Sequence, residues 1–247
     1  MPTAYFDKQL CRLRESLVQM GGAVEEMLDM ALSALYDLDV VLAEKTIEAD
    51  REINDFENKI NNKTILLIAT NQPVASDLRF LAGGLRVAND LERIGDISAN
   101  LARRARGLAR LDYKAELPPE IPVMADKVKG MISGTLASFA NRNLEKAQHI
   151  LDCDKEVDKL NRKVRQDILG KISQDGSLIY WGFEVINVAA HLERMGDHTT
   201  NVAEDVIYIY SGRNVRHTHS ITQAVEEPAA AQALVDGNRE DREDVED

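Results

Sequence analysis

Leu91-Glu92-Arg93-Ile94-Gly95-Asp96 recurs as Leu192-Glu193-Arg194-Met195-Gly196-Asp197, and each copy runs into an Asn-apolar-Ala run, Asn100-Leu101-Ala102 and Asn201-Val202-Ala203. Glu92 and Glu193 stand 101 residues apart. A long internal repeat of this kind means that the fold is built twice, so it governs every other reading of the chain. What the copies share is acidic. Glu92 and Asp96, like Glu193 and Asp197, are four residues apart, which on a helix puts each pair on one face about 40° apart at ~100° per residue. Asn100 and Asn201 extend each stripe by a further turn. Like charges at this spacing repel by a few tenths of a kcal/mol, so each stripe calls for a positive neighbour or full solvation.

Working outward, the composition supports a helical chain. Of 247 residues, 44% are hydrophobic and only 5% aromatic, with 14 glycines. That favours helices over the turn-rich pattern of a β-sandwich. The net charge is −12; nine acids against four arginines between Arg213 and Asp247 supply −5 of it, leaving −7 on the body. An acidic body lacks the basic footprint of direct nucleic-acid binding and suits cations or a basic protein partner. Cys11 and Cys153 form no CxxC pattern and fit a reduced, cytoplasmic protein. The N-terminal stretch reads as no signal peptide, and no segment approaches the ~20 apolar residues of a transmembrane helix.

Apolar spacing predicts a first helix from Phe6 to about Leu38, weakened at Gly21-Gly22. Asp39 is placed to cap a second, running to about Thr70. Asn71-Gln72-Pro73 stops it, with Pro73 suited to the first turn of a third helix over Val74 to Gly107. The proline-rich stretch Asp112 to Pro122 divides the halves. The plan then repeats: a shorter fourth helix from Val123 to about Ala140, Asn143 as cap of a fifth helix reaching about Ile172, a turn at Gln174-Asp175-Gly176-Ser177, and a sixth helix from Leu178 to Ser211, stopped by Gly212. Asp154-Lys155-Glu156-Val157-Asp158 matches Asp50-Arg51-Glu52-Ile53-Asn54 at an offset of 104. The expected architecture is all-α: two tandem, similar three-helix bundles with six antiparallel helices. The units are 1–111, a linker 112–122, 123–212, and an acidic tail 213–247 read as disordered.

Two readings of the acids stand side by side. In one, Asp50 with Glu92 and Asp96, and Asp154 and Asp158 with Glu193 and Asp197, converge between neighbouring helices. Carboxylates that close do not all stay ionised without a cation. Oxygen ligands then favour Mg²⁺, Ca²⁺, Mn²⁺ or ferric iron, with Asn100 and Asn201 ligating or orienting a carboxylate. Gly95 and Gly196, one turn from the acids, allow close helix approach or leave room for an ion. In the other, the stripes are solvated faces tied by Arg93, Arg194 or lysines. Glu145 with His149 reads as an exposed pair, His198 as a surface or interhelix residue, and Met27, Met30 and Met131 as core. Trp181 suits core or interface equally. No nucleophile–base pairing, phosphate loop or HExxH motif appears, so no enzyme is expected.

With the repeat in place, the chain resembles the PhoU family. Asp77-Leu78-Arg79, Arg86-Val87-Ala88-Asn89-Asp90-Leu91-Glu92-Arg93-Ile94-Gly95-Asp96 and the run Leu192 to Glu204 carry the resemblance. It implies two three-helix bundles whose E/D-x-x-x-D motifs hold multinuclear metal clusters of iron, zinc or other ions. It also implies a cytoplasmic homodimer that restrains phosphate-starvation signalling by linking a phosphate ABC transporter's nucleotide-binding subunit to a membrane sensor histidine kinase. The family's acids fall on Asp50, Glu92 and Asp96, and on Asp154, Asp158, Glu193 and Asp197, with Glu204 closing the second motif. Asn54 and Arg103 stand where the first half would carry two more acids, so the resemblance implies a better cation site in the second half. A ferritin-like di-iron bundle would require Glu-x-x-His pairs, which are missing near Glu92 and Glu193. A metal-free helical adaptor is the third reading.

Overall fold

The computed structural model describes residues 3–112 and 115–215. It contains six α-helices and one short 3₁₀ turn, with no strand among the described residues. The first repeat is α1 (Thr3–Asp37), α2 (Val40–Asn71) and α3 (Ala75–Ala109); the second is α4 (Glu120–Asn141), α5 (Leu144–Gln174) and α6 (Ile179–Ser211). The three helices of each repeat pack on one another, and α3 lies along α6. All six belong to one compact unit, Met1–Asn214. The acidic tail expected to be disordered lies, past Val215, outside the described residues.

The duplication extends to the helix junctions. Leu38 ends α1 with φ 51, and the Asp39 N–H donates back to Ala34 O at 3.0 Å. At the matching place, Arg142 ends α4 with φ 56, and the Asn143 N–H donates to Ser138 O at 3.0 Å. The next residue in each case caps the following helix. Asp39 Oδ1 accepts from the Val41 and Leu42 N–H groups, and Asn143 Oδ1 accepts from the Lys146 N–H. A short side-chain oxygen at this position satisfies backbone donors that the first helical turn leaves open.

Helix α1 runs unbroken through Gly21-Gly22, in keeping with the single first helix of the sequence reading, while several other boundaries differ from it. A Cβ on Gly21 would sit 2.3 Å from Leu136 Cδ2, so the missing side chain serves α1–α4 packing and not a break. Pro73 lies outside α3, whose N-cap is Val74. Helix α4 starts at Glu120, so Pro122 falls inside its first turn, where no intrahelical N–H donor is required. Helix α5 continues to Gln174, and Gly176–Leu178 forms the 3₁₀ turn before α6. Gly212 stops α6 at φ 75, its N–H donating to Tyr208 O at 2.9 Å.

The core is aliphatic. Leu13, Leu17, Met20, Leu91 and Ile94 in the first repeat, and Met124, Val128, Val157, Leu192 and Met195 in the second, are essentially inaccessible. Met27 and Met131 join them, Met30 is half-buried, and Trp181 proves to be core at 3% exposure. Helices α3 and α6 cross antiparallel, because pairings at one end of α3 meet the opposite end of α6. Gly83 admits Ile209, with a would-be Cβ contact of 2.4 Å. Further along, Arg86 pairs with buried Asp205 at 2.9 Å, and Arg104 pairs with Glu184 at 3.2 Å.

Candidate functional site

Each repeat brings its acids together across the pair formed by its second and third helices. In the second repeat, Asp154 and Asp158 on α5 face Glu193 and Asp197 on α6. Asp154 is held at about pKa 6, first by burial and then by repulsion from Asp197, Asp158 and Glu193. Glu193 is raised by burial, Asp197 and Asp158, against the pull of Arg165 and Arg194. Asp197 is raised by burial and Asp158, with His198 and Arg194 opposing. Mutual repulsion of this kind is what converging carboxylates show when no cation neutralises them.

In the first repeat, Asp50 on α2 is raised by burial and by Asp96, while Arg103 and a hydrogen bond from Asn54 Nδ2 at 3.3 Å pull the other way. Glu92 is raised by burial, Asp96, Glu57 and Asp50 against Arg93. Arg93 sits 3.6 Å from both Glu92 and Asp96. Glu57 was not among the motif acids. It lies seven residues after Asp50, on the same helix face two turns on, and that spacing is the signal that would have found it. The matching position in α5 is Asn161. Each repeat therefore gathers four carboxylates, but places an acid and an amide differently along its second helix.

The two glycines of the repeated hexapeptide do different jobs. A Cβ on Gly95 would lie 3.0 Å from Ile53 Cγ2, so that glycine admits an aliphatic side chain. A Cβ on Gly196 would lie 2.7 Å from Asp154 Oδ1, so that glycine makes room for a carboxylate. Asp154 Oδ1 is buried and accepts no hydrogen bond. A buried carboxylate oxygen without a donor is costly unless a positive group approaches it. With an all-oxygen donor set around it, the second face fits a hard cation. Among the described residues, no group of three or more His, Cys, Asp or Glu side chains is placed to hold a metal ion as it stands.

The asparagines of the stripe are engaged elsewhere. Asn100 Oδ1 accepts from Arg103 at 2.7 Å on its own helix. Asn201 Nδ2 donates to Asp90 on α3 at 3.3 Å, turning toward the seam between repeats. Glu204 lies half-buried, two turns beyond Asp197. His198 bridges the repeats, its Nδ1 2.9 Å from Asp90 Oδ1. His191, at the position matching Asp90, is held down to about pKa 4 by burial and by Arg104 and Arg194, and is therefore neutral. Glu145 and His149 are both exposed, as expected.

Comparison with known proteins places these features. The PhoU domain family matches the chain twice, over residues 17–105 and 121–206. The chain is 34% identical over 207 residues to a phosphate-specific transport system accessory protein PhoU homolog of Rhizobium meliloti, covering 84% of this chain and 87% of that protein. It is 35% identical over 216 residues to the corresponding homolog of Clostridium acetobutylicum, covering 87% and 98%. The crystal structure of PhoU from Pseudomonas aeruginosa superposes with a TM-score of 0.82 at 33% identity, covering 84% of this chain and all of that one. The phosphate transport system regulatory protein PhoU from Streptococcus pneumoniae superposes at 0.79 and 29% identity, covering 85% and 99%.

Proposed function

The chain belongs to the PhoU family, and on that premise we propose that it is a cytoplasmic negative regulator of phosphate uptake and phosphate-starvation signalling. PhoU proteins are regulatory accessory proteins and not enzymes. In the proposed role the protein is a homodimeric adaptor between the nucleotide-binding subunit of a phosphate ABC transporter and a sensor histidine kinase. No described helix is long and apolar enough to cross a membrane, so contact with the bilayer would run through such partners.

The observation that carries the reading is the double match to the family, with each repeat gathering carboxylates at its matching helix pair. Asp154, Asp158, Glu193 and Asp197 would hold a hard cation on the second face, and Asp50, Glu57, Glu92 and Asp96 on the first. Bound there, cations would neutralise the repulsion and stiffen each face. Iron, zinc, manganese, magnesium and calcium are the candidates. Arg103 and Asn54 already offset part of the charge at Asp50, which supports the second face as the stronger site.

Deleting the gene tests the regulatory role: starvation genes should switch on in abundant phosphate, and repression that stays normal would refute it. Glu193→Ala combined with Asp197→Ala should fold normally yet repress poorly. If that variant has lost its metal and still represses fully, the protein is an adaptor whose carboxylates are a solvated face. Light scattering of the purified protein decides the dimer, and capture with the purified transporter subunit or kinase decides the partners.

A further inference from the structure

Arg79, from the Asp77-Leu78-Arg79 motif, takes no part in either acidic face. It lines a cavity of about 270 Å³ together with Arg14 from α1, Arg142 at the end of α4, and Tyr210 near the end of α6. Four helices thus converge on one small space, just below the roughly 300–1,000 Å³ of typical ligand pockets. Two of the three arginines lie against aromatic rings. The Arg14 guanidinium lies 5.2 Å from the Phe80 ring centre and 5.9 Å from that of Tyr210, and Arg142 lies 5.7 Å from Tyr210. The Tyr210 hydroxyl donates to Phe139 O at 2.9 Å, which fixes the ring between the two cations. Arg79 packs beside Gly212, where a Cβ would lie 3.7 Å from its Cζ.

The charge at this place is unbalanced. Among the described residues, none of the three guanidinium groups has a carboxylate within 4.0 Å, whereas Arg86, Arg104, Arg106 and Lys163 each pair with one. The Nε atoms of Arg14 and Arg79 are buried and donate to nothing. Asp77 lines the cavity and offsets one charge of the three. The first turn of α3 borders the same space through Ser76 and Asp77, and its N-cap Val74 supplies no side-chain acceptor for the open N–H groups. Buried, unpaired guanidinium donors are costly, and a planar fork of N–H groups matches the edge of a tetrahedral oxyanion.

We propose that the cavity lined by Arg14, Arg79 and Arg142 is a binding site for a small oxyanion of the phosphate type. Arg14, Arg79 and Arg142 all line the cavity, Arg142 from an exposed position, and Phe80 and Tyr210 lie against the guanidinium groups of Arg14 and Arg142. The site shares no lining residue with the acidic faces and stands whether or not those faces bind metal. A regulator with such a site reads phosphate directly, in addition to any signal received from a partner.

Calorimetric titration of the full-length protein with inorganic phosphate, sulfate and chloride tests this. One saturable phosphate site per chain is expected, with sulfate competing and chloride not. Arg142→Gln, at an exposed position, and Arg79→Gln should each weaken phosphate roughly tenfold or more, as loss of a charge-assisted contact does. Arg79→Lys should recover part of the loss. The helical circular dichroism signal and the melting temperature should be unchanged in these variants, which shows that they are folded. A phosphate titration indistinguishable from chloride would overturn the proposal, as would phosphate affinity that survives both glutamine substitutions.

Discussion

Asp154 is the residue on which the second acidic face turns. Its carboxyl is pushed up to about pKa 6 by burial and by three neighbouring acids, against an ordinary value of 3.8. The folded protein therefore holds a proton at pH 5 that the unfolded chain has released. The destabilisation is complete above pH 6 and is relieved as pH falls toward 3.8. Asp154→Asn should accordingly raise the melting temperature at pH 7.5 in the presence of a chelator, and the gain should disappear near pH 4. A gain that is equal at both pH values would show that charge is not the cause. Gly196→Ala probes the same spot sterically. A Cβ 2.7 Å from Asp154 Oδ1 forces that carboxylate away, and manganese affinity at this face should drop roughly tenfold, in the range seen when support of a ligand is lost. Gly95→Ala meets Ile53 instead, and should cost stability while leaving affinity at the second face unchanged.

At the scale of elements, the antiparallel crossing of α3 and α6 joins the repeats. It combines a steric notch, Gly83 against Ile209, with the contacts of buried Asp205 to Arg86 and of buried Asp90 to His198. A Cβ at Gly83 would lie 2.4 Å from Ile209 Cγ1, so Gly83→Ala should lower unfolding free energy by about 1–3 kcal/mol, the cost of overpacking a filled core. Denaturant melts with an unchanged m-value would check it. Helix pairs also set how the two acidic faces differ. Glu193→Ala with Asp197→Ala should remove more bound metal than Glu92→Ala with Asp96→Ala, because Arg103 and Asn54 already act on Asp50. Metal analysis of both double variants decides this, and equal losses would mean that the faces are equivalent. The helix limits themselves were readable from local chemistry: Asp39, Asn143 and Gly212 stand where the caps form. What Gly21 is for was not readable, since a glycine that weakens an isolated helix also lets a neighbouring helix approach, here through Leu136.

For the whole molecule, the family match and every motif behind it lie within the compact unit that ends at Asn214. Supplying residues 1–212 to cells that lack the gene should therefore restore repression in abundant phosphate, measured with a starvation-promoter reporter; no rescue would assign a role to the acidic tail. The sequence by itself determined the six helices, their duplication and the family, because hydrophobic period, capping residues and a repeated hexapeptide act over a few turns or by direct comparison of two stretches. It also determined which acids share a helix face, since four-residue spacing places them there in any helix. Which faces meet was decided only by the tertiary structure. Glu57 joins Glu92, Asn201 turns from the acidic stripe to Asp90, and Arg14, Arg79 and Arg142 gather from three helices at one cavity. Rotation and crossing of each helix are set by how all its neighbours fill the core, and no local stretch of sequence carries that sum.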